Sequence, residues 1–174
     1  VSFIWVFIFT NAMPALGGVL GWDWLANISW FGTPSMATVT IIVVSIWQNI
    51  GFLMIIYTAG LQTIPKDVME SAELDGCSGL KKVLKIELPL LMPTVTINLF
   101  VSISGAFKSF DIPNAMTGGG PYGSTMPVAM NIYQEAFTKY NLGYGSAKSV
   151  ILFLTVAAVT LIQLYCTRKK EVEY

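Results

Sequence analysis

Three stretches of this 174-residue chain carry no charged residue at all: 36–61, 90–107 and 149–167. Each is close to the ~20 residues that a helix needs to cross a bilayer core of ~30 Å. In hydrocarbon the backbone must satisfy its own hydrogen bonds, so a single apolar run of this length folds as a helix. These runs therefore predict an all-α chain that passes through a membrane several times.

Composition supports the same class. Hydrophobic residues make up 54% of the chain and charged residues 11%, against about 25% charge in a soluble domain. A fourth apolar run, residues 1–12, is too short to span alone. The chain opens with Val1 inside that run, with no Met and no basic flank, which does not fit a signal peptide. The expectation is a partial span over residues 1–13 of an N-terminally truncated fragment, with upstream sequence missing. Cys77 and Cys166 are isolated and there is no histidine. That excludes the usual zinc ligand sets and the Ser-His and Cys-His pairings, so no catalytic residue, metal or cofactor is expected. A net charge of zero gives no argument for nucleic acid.

Basic residues orient a membrane chain, because cytoplasmic loops hold more lysine and arginine. The segment 14–35 has none. The charged hairpin between the first two long runs has Lys66, Lys81, Lys82 and Lys85, and the tail has Arg168, Lys169 and Lys170. The opposite side holds only Lys108, Lys139 and Lys148. Spans are expected at 36–61, 89–109 and 147–167. They are joined by a cytoplasmic loop at 62–88 and an extracytoplasmic loop at 110–146, and a cytoplasmic tail follows at 168–174. Lys108 and Lys148 can snorkel from helix ends. Trp22, Trp24, Trp30 and Phe31 read as an interfacial belt, with a sugar-stacking platform as the sharper alternative.

Two spans carry polar residues at depth. Ser45, Gln48, Asn49 and Phe52 recur at three- and four-residue spacing and share one broad helical face. Ser102, Gly105, Ala106 and Ser109 form a second, weakly polar stripe. Helix packing and a polar pathway both use such residues, and spacing alone does not separate the two. In the long loop, Gly118–Pro121 is a turn cluster, with no following Lys-Ser or Lys-Thr to make it a phosphate loop. The segment 126–140 has apolar spacing that predicts a short surface helix.

The hairpin 64–93 is the unusual part: it holds nine of the twenty charged residues. Pro65 suits a helix start, Asp67 and Glu70 suit the first turn, and Gly76 suits a left-handed helix end. A second short helix follows over 80–87. Ser71 and Ala72 form a small-residue patch beside Glu70, Glu73 and Asp75, whose carboxylates suit arginines on a partner. A solvated amphipathic loop is the plainer reading of the same residues.

The order Glu70-Ser71-Ala72, then Gly76, then Ile86-x-Leu88-Pro89 resembles the EAA loop of membrane subunits of binding-protein-dependent ABC importers. Ser71 stands where that family usually has alanine. The later FD…MTGGGP…IYQEAF…LGYGSAKS pattern resembles the carbohydrate-uptake branch. More narrowly, it is similar to the first permease of systems for oligosaccharides, maltose or glycerol phosphate. The resemblance implies a type I importer permease fold in a bacterial or archaeal plasma membrane, with the C-terminus cytoplasmic. It implies four partners beside the lipid bilayer: a cytoplasmic ABC ATPase dimer, a second permease, an extracytoplasmic solute-binding protein and a carbohydrate substrate. It assigns coupling to Glu70, Ser71, Ala72, Asp75 and Gly76. It assigns the substrate pathway to Ser45, Gln48, Asn49, Phe52, Ser102 and Ala106, the last without a hydrogen bond to offer a sugar. Glycerol phosphate or another small solute is the alternative cargo. A passive channel or structural subunit is the alternative class, and it would leave the hairpin without a partner.

Overall fold

The computed structural model describes residues 1–169. Among them helices dominate and no strand occurs. The elements are α1 (Ser2–Leu20), α2 (Asp23–Asn27), α3 (Pro34–Gln62), α4 (Lys66–Leu74) and α5 (Gly79–Leu90). They continue as α6 (Met92–Phe107), α7 (Asp111–Thr117), α8 (Val128–Tyr133) and α9 (Leu142–Arg168). By length and composition α1, α3 and α9 can each cross a membrane, and α5 with α6 can form a fourth, broken crossing.

α3 and α9 cover the charge-free runs 36–61 and 149–167. The other two expectations change. The first apolar run does not stop near residue 13: its helix continues through Pro14 to Leu20, for 19 residues. Proline cannot donate to the carbonyl four residues back. A π turn over Ile8–Ala12 widens the helix just before it, so the proline is absorbed without a break. The expected span 89–109 is also altered. α6 begins only at Met92, and it is bent by 70° from α5. Pro89 and Pro93 flank the bend, where Leu91 leaves regular helix geometry at ψ −3°.

The chain forms two compact units, Val1–Asn49 with Phe107–Leu152, and Ile50–Ala106 with the residues from Phe153. In the first unit Phe9, Val44 and Met116 make the core, with Trp5, Trp30, Phe31 and Ile41 packed around them. Phe9 lies 4.9 Å from the Trp30 ring and 6.3 Å from Phe31. The expected aromatic belt therefore divides: Trp30 and Phe31 join the core, while Trp22 and Trp24 stay exposed. Ala37 and Thr40 are buried where α3 leaves this core, and the Thr40 hydroxyl donates to the carbonyls of Met36 and Trp30.

The loop from α7 to α9 is closely tied. The Thr117 and Thr125 hydroxyls meet at 2.7 Å, and Thr125 Oγ1 donates to the Gly120 carbonyl at 2.6 Å. The glycine cluster thus consumes its own polar groups. After α8 a π turn, Gln134–Thr138, brings Glu135 inside. Lys139 Nζ donates to Glu135 Oε1 at 2.9 Å, Lys148 Nζ approaches the same oxygen at 3.5 Å, and Lys148 also donates to Asn131 Oδ1 at 2.7 Å. Lys148, expected to snorkel, is instead paired within the protein. Gly145 permits this close approach, since a Cβ there would stand 2.8 Å from the Ala136 Cβ.

In the second unit two amides join helices. Asn98 Nδ2 donates to the Leu53 carbonyl at 3.4 Å, and Gln163 Nε2 donates to the Thr96 carbonyl at 3.3 Å. Their oxygens, Asn98 Oδ1 and Gln163 Oε1, are buried without a partner.

Candidate functional site

The hairpin α4–α5 is built around one glycine. α4 starts after Pro65, which is extended at ψ 134°, and carries Asp67 in its first turn. It ends where Gly76 takes φ +73°, a conformation that costs glycine nothing and other residues ~1–2 kcal/mol. Gly76 N–H donates to Glu73 O at 3.0 Å and Cys77 N–H to Ala72 O at 2.9 Å. This pair of bonds is the Schellman closure, in which the residue beyond the glycine turns back onto the helix. Consistently, Ala72 and Cys77 are both buried, together with Ile64.

That burial revises two assignments. The small-residue patch is divided, because adjacent residues on a helix point about 100° apart. Ser71 is exposed, with its hydroxyl returned to the Asp67 carbonyl at 2.7 Å, whereas Ala72 faces the inside of the elbow. Ala72 therefore supports the turn and is not displayed. Glu73 is also taken: Lys82 Nζ donates to its Oε1 at 2.7 Å, from α5 across the turn. This bond holds the Glu73 carboxyl below its usual value. Of the expected coupling residues, Glu70, Ser71, Asp75 and Gly76 remain on the surface, two carboxylates beside a glycine with open space where a Cβ would stand.

The mid-span positions are arranged differently. Ser45 is half-buried and its Oγ donates to the Ile41 carbonyl at 2.8 Å. Asn49 Nδ2 donates to the Ser45 carbonyl at 2.8 Å and is exposed. Gln48, Phe52, Ser102 and Ala106 are exposed as well. The Asn49 amide nitrogen thus bonds within its own helix. Asn98 and Gln163 are amides within the apolar runs that do bond to another helix. Their only sequence signal is an amide within an apolar run.

Residues 1–172 match the family described as binding-protein-dependent transport system inner membrane component. The chain is 36% identical over 99% of its length to the probable starch degradation products transport system permease protein of Thermoanaerobacterium thermosulfurigenes, covering 58% of that protein. It is 33% identical over 99% of its length to a multiple sugar-binding transport system permease protein of Streptococcus mutans, covering 59% of it. It is 36% identical over 96% of its length to the sn-glycerol-3-phosphate transport system permease protein of Brucella abortus, covering 57% of it. The chain therefore spans a little over half the length of these relatives. With a match across almost every residue, the chain belongs to the binding-protein-dependent transport system inner membrane components, a family of polytopic membrane permeases.

Proposed function

We propose that this chain is the coupling half of a permease subunit in an ATP-driven carbohydrate importer. The observation that carries the reading is the hairpin surface left by the Schellman turn: Glu70 and Asp75, free of internal partners, beside the bare Gly76. Such a surface suits a cleft lined with arginines, where bidentate carboxylate pairs are strong. The partner is a cytoplasmic ATPase dimer, with a second permease completing the pathway and an extracytoplasmic solute-binding protein delivering cargo. The hairpin and the C-terminal end then face the cytoplasm. The excess of lysine and arginine on that side supports this, although Lys170 lies outside the described residues. Ser45, Gln48, Asn49, Phe52, Ser102 and Ala106, none of them fully buried, are assigned to the pathway wall.

The cargo is a neutral carbohydrate. α3 and α6 carry no lysine or arginine to meet an anion, and relatives with starch products and multiple sugars in their names support the same class. A glycerol phosphate cargo is the second reading, favoured by the relative named for it. The test uses the full-length permease assembled with its partners in liposomes. Glu70→Lys is expected to insert and assemble, yet to lose solute-stimulated ATPase activity and transport together. Normal transport by that variant would remove the coupling assignment. Uptake of glycerol phosphate in place of sugars would select the second cargo.

A further inference from the structure

The segment from α8 into α9 turns its carboxylate inward and several large apolar side chains outward, beside exposed Thr138, Lys139 and Asn141. Its carboxylate is inside: Glu135 is 9% exposed and held by Lys139 and Lys148. Its apolar side chains are outside: Phe137 is 62% exposed, Tyr140 86%, Leu142 62% and Tyr144 60%. Tyr140 also sits at φ +59°, where a side chain is rarely tolerated. Several large exposed apolar side chains gathered in one short segment point to a contact surface.

The position of the patch along α9 identifies the occupant. Lys148 and Arg168 are the charged residues of α9, twenty positions apart, with an uncharged apolar run between them. At 1.5 Å per residue they stand about 30 Å apart, which is the thickness of a bilayer core. Leu142 and Tyr144 precede Lys148 by six and four residues, or about 9 and 6 Å, within the headgroup layer beyond the core. Tyrosine favours that layer, because its ring is apolar and its hydroxyl is wet. The exposed face runs on into the span: Ile151, seven residues after Tyr144 and on the same side of the helix, is 64% exposed. Lys148 lies 4.4 Å from the Tyr144 ring centroid, so its charge is turned toward Asn131, Glu135 and the ring.

We propose that Phe137, Tyr140, Leu142 and Tyr144 form an interfacial anchor immersed in the lipid headgroup layer, with the Glu135–Lys148–Asn131 clamp holding it at that depth. The clamp draws Glu135 and Lys148 largely off the surface, while Lys139 keeps 58% of its side chain exposed, as a headgroup-facing cation would. The aromatic residues fix the height of α9 in the membrane.

The experiment uses the full-length permease in its complete transporter in liposomes, with Cys77→Ser and Cys166→Ser as background. Single cysteines replace Tyr140, Tyr144, Tyr122 and Phe153, and each carries a nitroxide. Tyr122, which is 97% exposed, reports open water, and Phe153 reports the span. Collision with oxygen is compared with collision with a water-soluble nickel chelate. The expected oxygen-to-nickel ratio at Tyr140 and Tyr144 is severalfold above that at Tyr122 and below that at Phe153. Glu135→Gln is expected to move the Tyr140 ratio toward the Tyr122 value. A Tyr140 ratio equal to that at Tyr122 means open water and overturns the proposal. Exclusion of both reagents means a protein partner covers the patch, and overturns it equally.

Discussion

Replacing Gly76 separates a backbone cost from a contact cost. At φ +73° an alanine costs ~1–2 kcal/mol more than glycine, and the reduced freedom of the unfolded chain returns ~0.4–1 kcal/mol. The net is about 1 kcal/mol, close to a fivefold change in the opening of the turn. No atom lies within 4 Å of the added Cβ. The cost should therefore not grow with side-chain size: Ala, Leu and Phe should behave alike, and Asn, which tolerates the left-handed region, should cost less. The readout is hydrogen exchange of the Cys77 amide, bonded to Ala72 O at 2.9 Å, in the isolated permease in nanodiscs. Gly76→Ala should accelerate it about fivefold, and Gly76→Phe by the same factor. The proposed docking adds a different series in the assembled importer, with transport falling from Ala to Phe as the side chain grows. Exchange that rises with side-chain size in the isolated permease would refute the open surface on which the docking argument stands.

Three further outcomes follow from the packing. Gly145→Val forces a side chain against Ala136 and should lower stability by ~1–3 kcal/mol, measured as a lower melting temperature in detergent. Gly143→Ala, in open space on the same helix, should be neutral or stabilising by up to ~1 kcal/mol. Asn98→Leu gives up a long 3.4 Å bond and a buried oxygen with no partner. The bond averages about 0.6 kcal/mol in membranes and the unpaired group costs ~1–3 kcal/mol, so melting should stay level or rise. Glu135 is held below its ordinary value of 4.5, first by the Lys139 hydrogen bond, with burial opposing. A depressed carboxylate contributes stability above its unfolded value and loses it as pH falls through the folded one. Exchange protection in the Glu135 turn should therefore be flat from neutral pH to about 4.5 and drop below it.

Much of this architecture is legible along the chain because it depends on local rules. Absence of charge over 36–61 and 149–167 is enough for α3 and α9. Gly76 is readable as a helix end because few other residues accept its conformation. The remaining features depend on neighbours distant in sequence or on small adjustments of the backbone. Pro14 looks like a break until the π turn before it is known. Ala72 looks displayed until the Schellman bonds turn it inward. Lys148 looks like a free snorkelling cation, and only the fold brings Asn131 and Glu135 to it across 17 and 13 residues. The same limit applies to the polar face of α3, where periodicity finds Ser45, Gln48 and Asn49 together but not that Asn49 bonds within its own helix.

The bend at Leu91 has a mechanical consequence. α5 is a stiff arm of twelve residues, about 18 Å long, set at 70° to α6. An arm attached at such an angle works as a crank. A sideways push of about 1.5 Å at its Gly79 end turns the joint by about 5°, and a rigid helix carries that rotation along its whole length. Pro89 and Pro93 flank the joint. Force applied at the polar end of the arm therefore reaches α6 as torque about its own axis, a motion that needs no change in the helix itself.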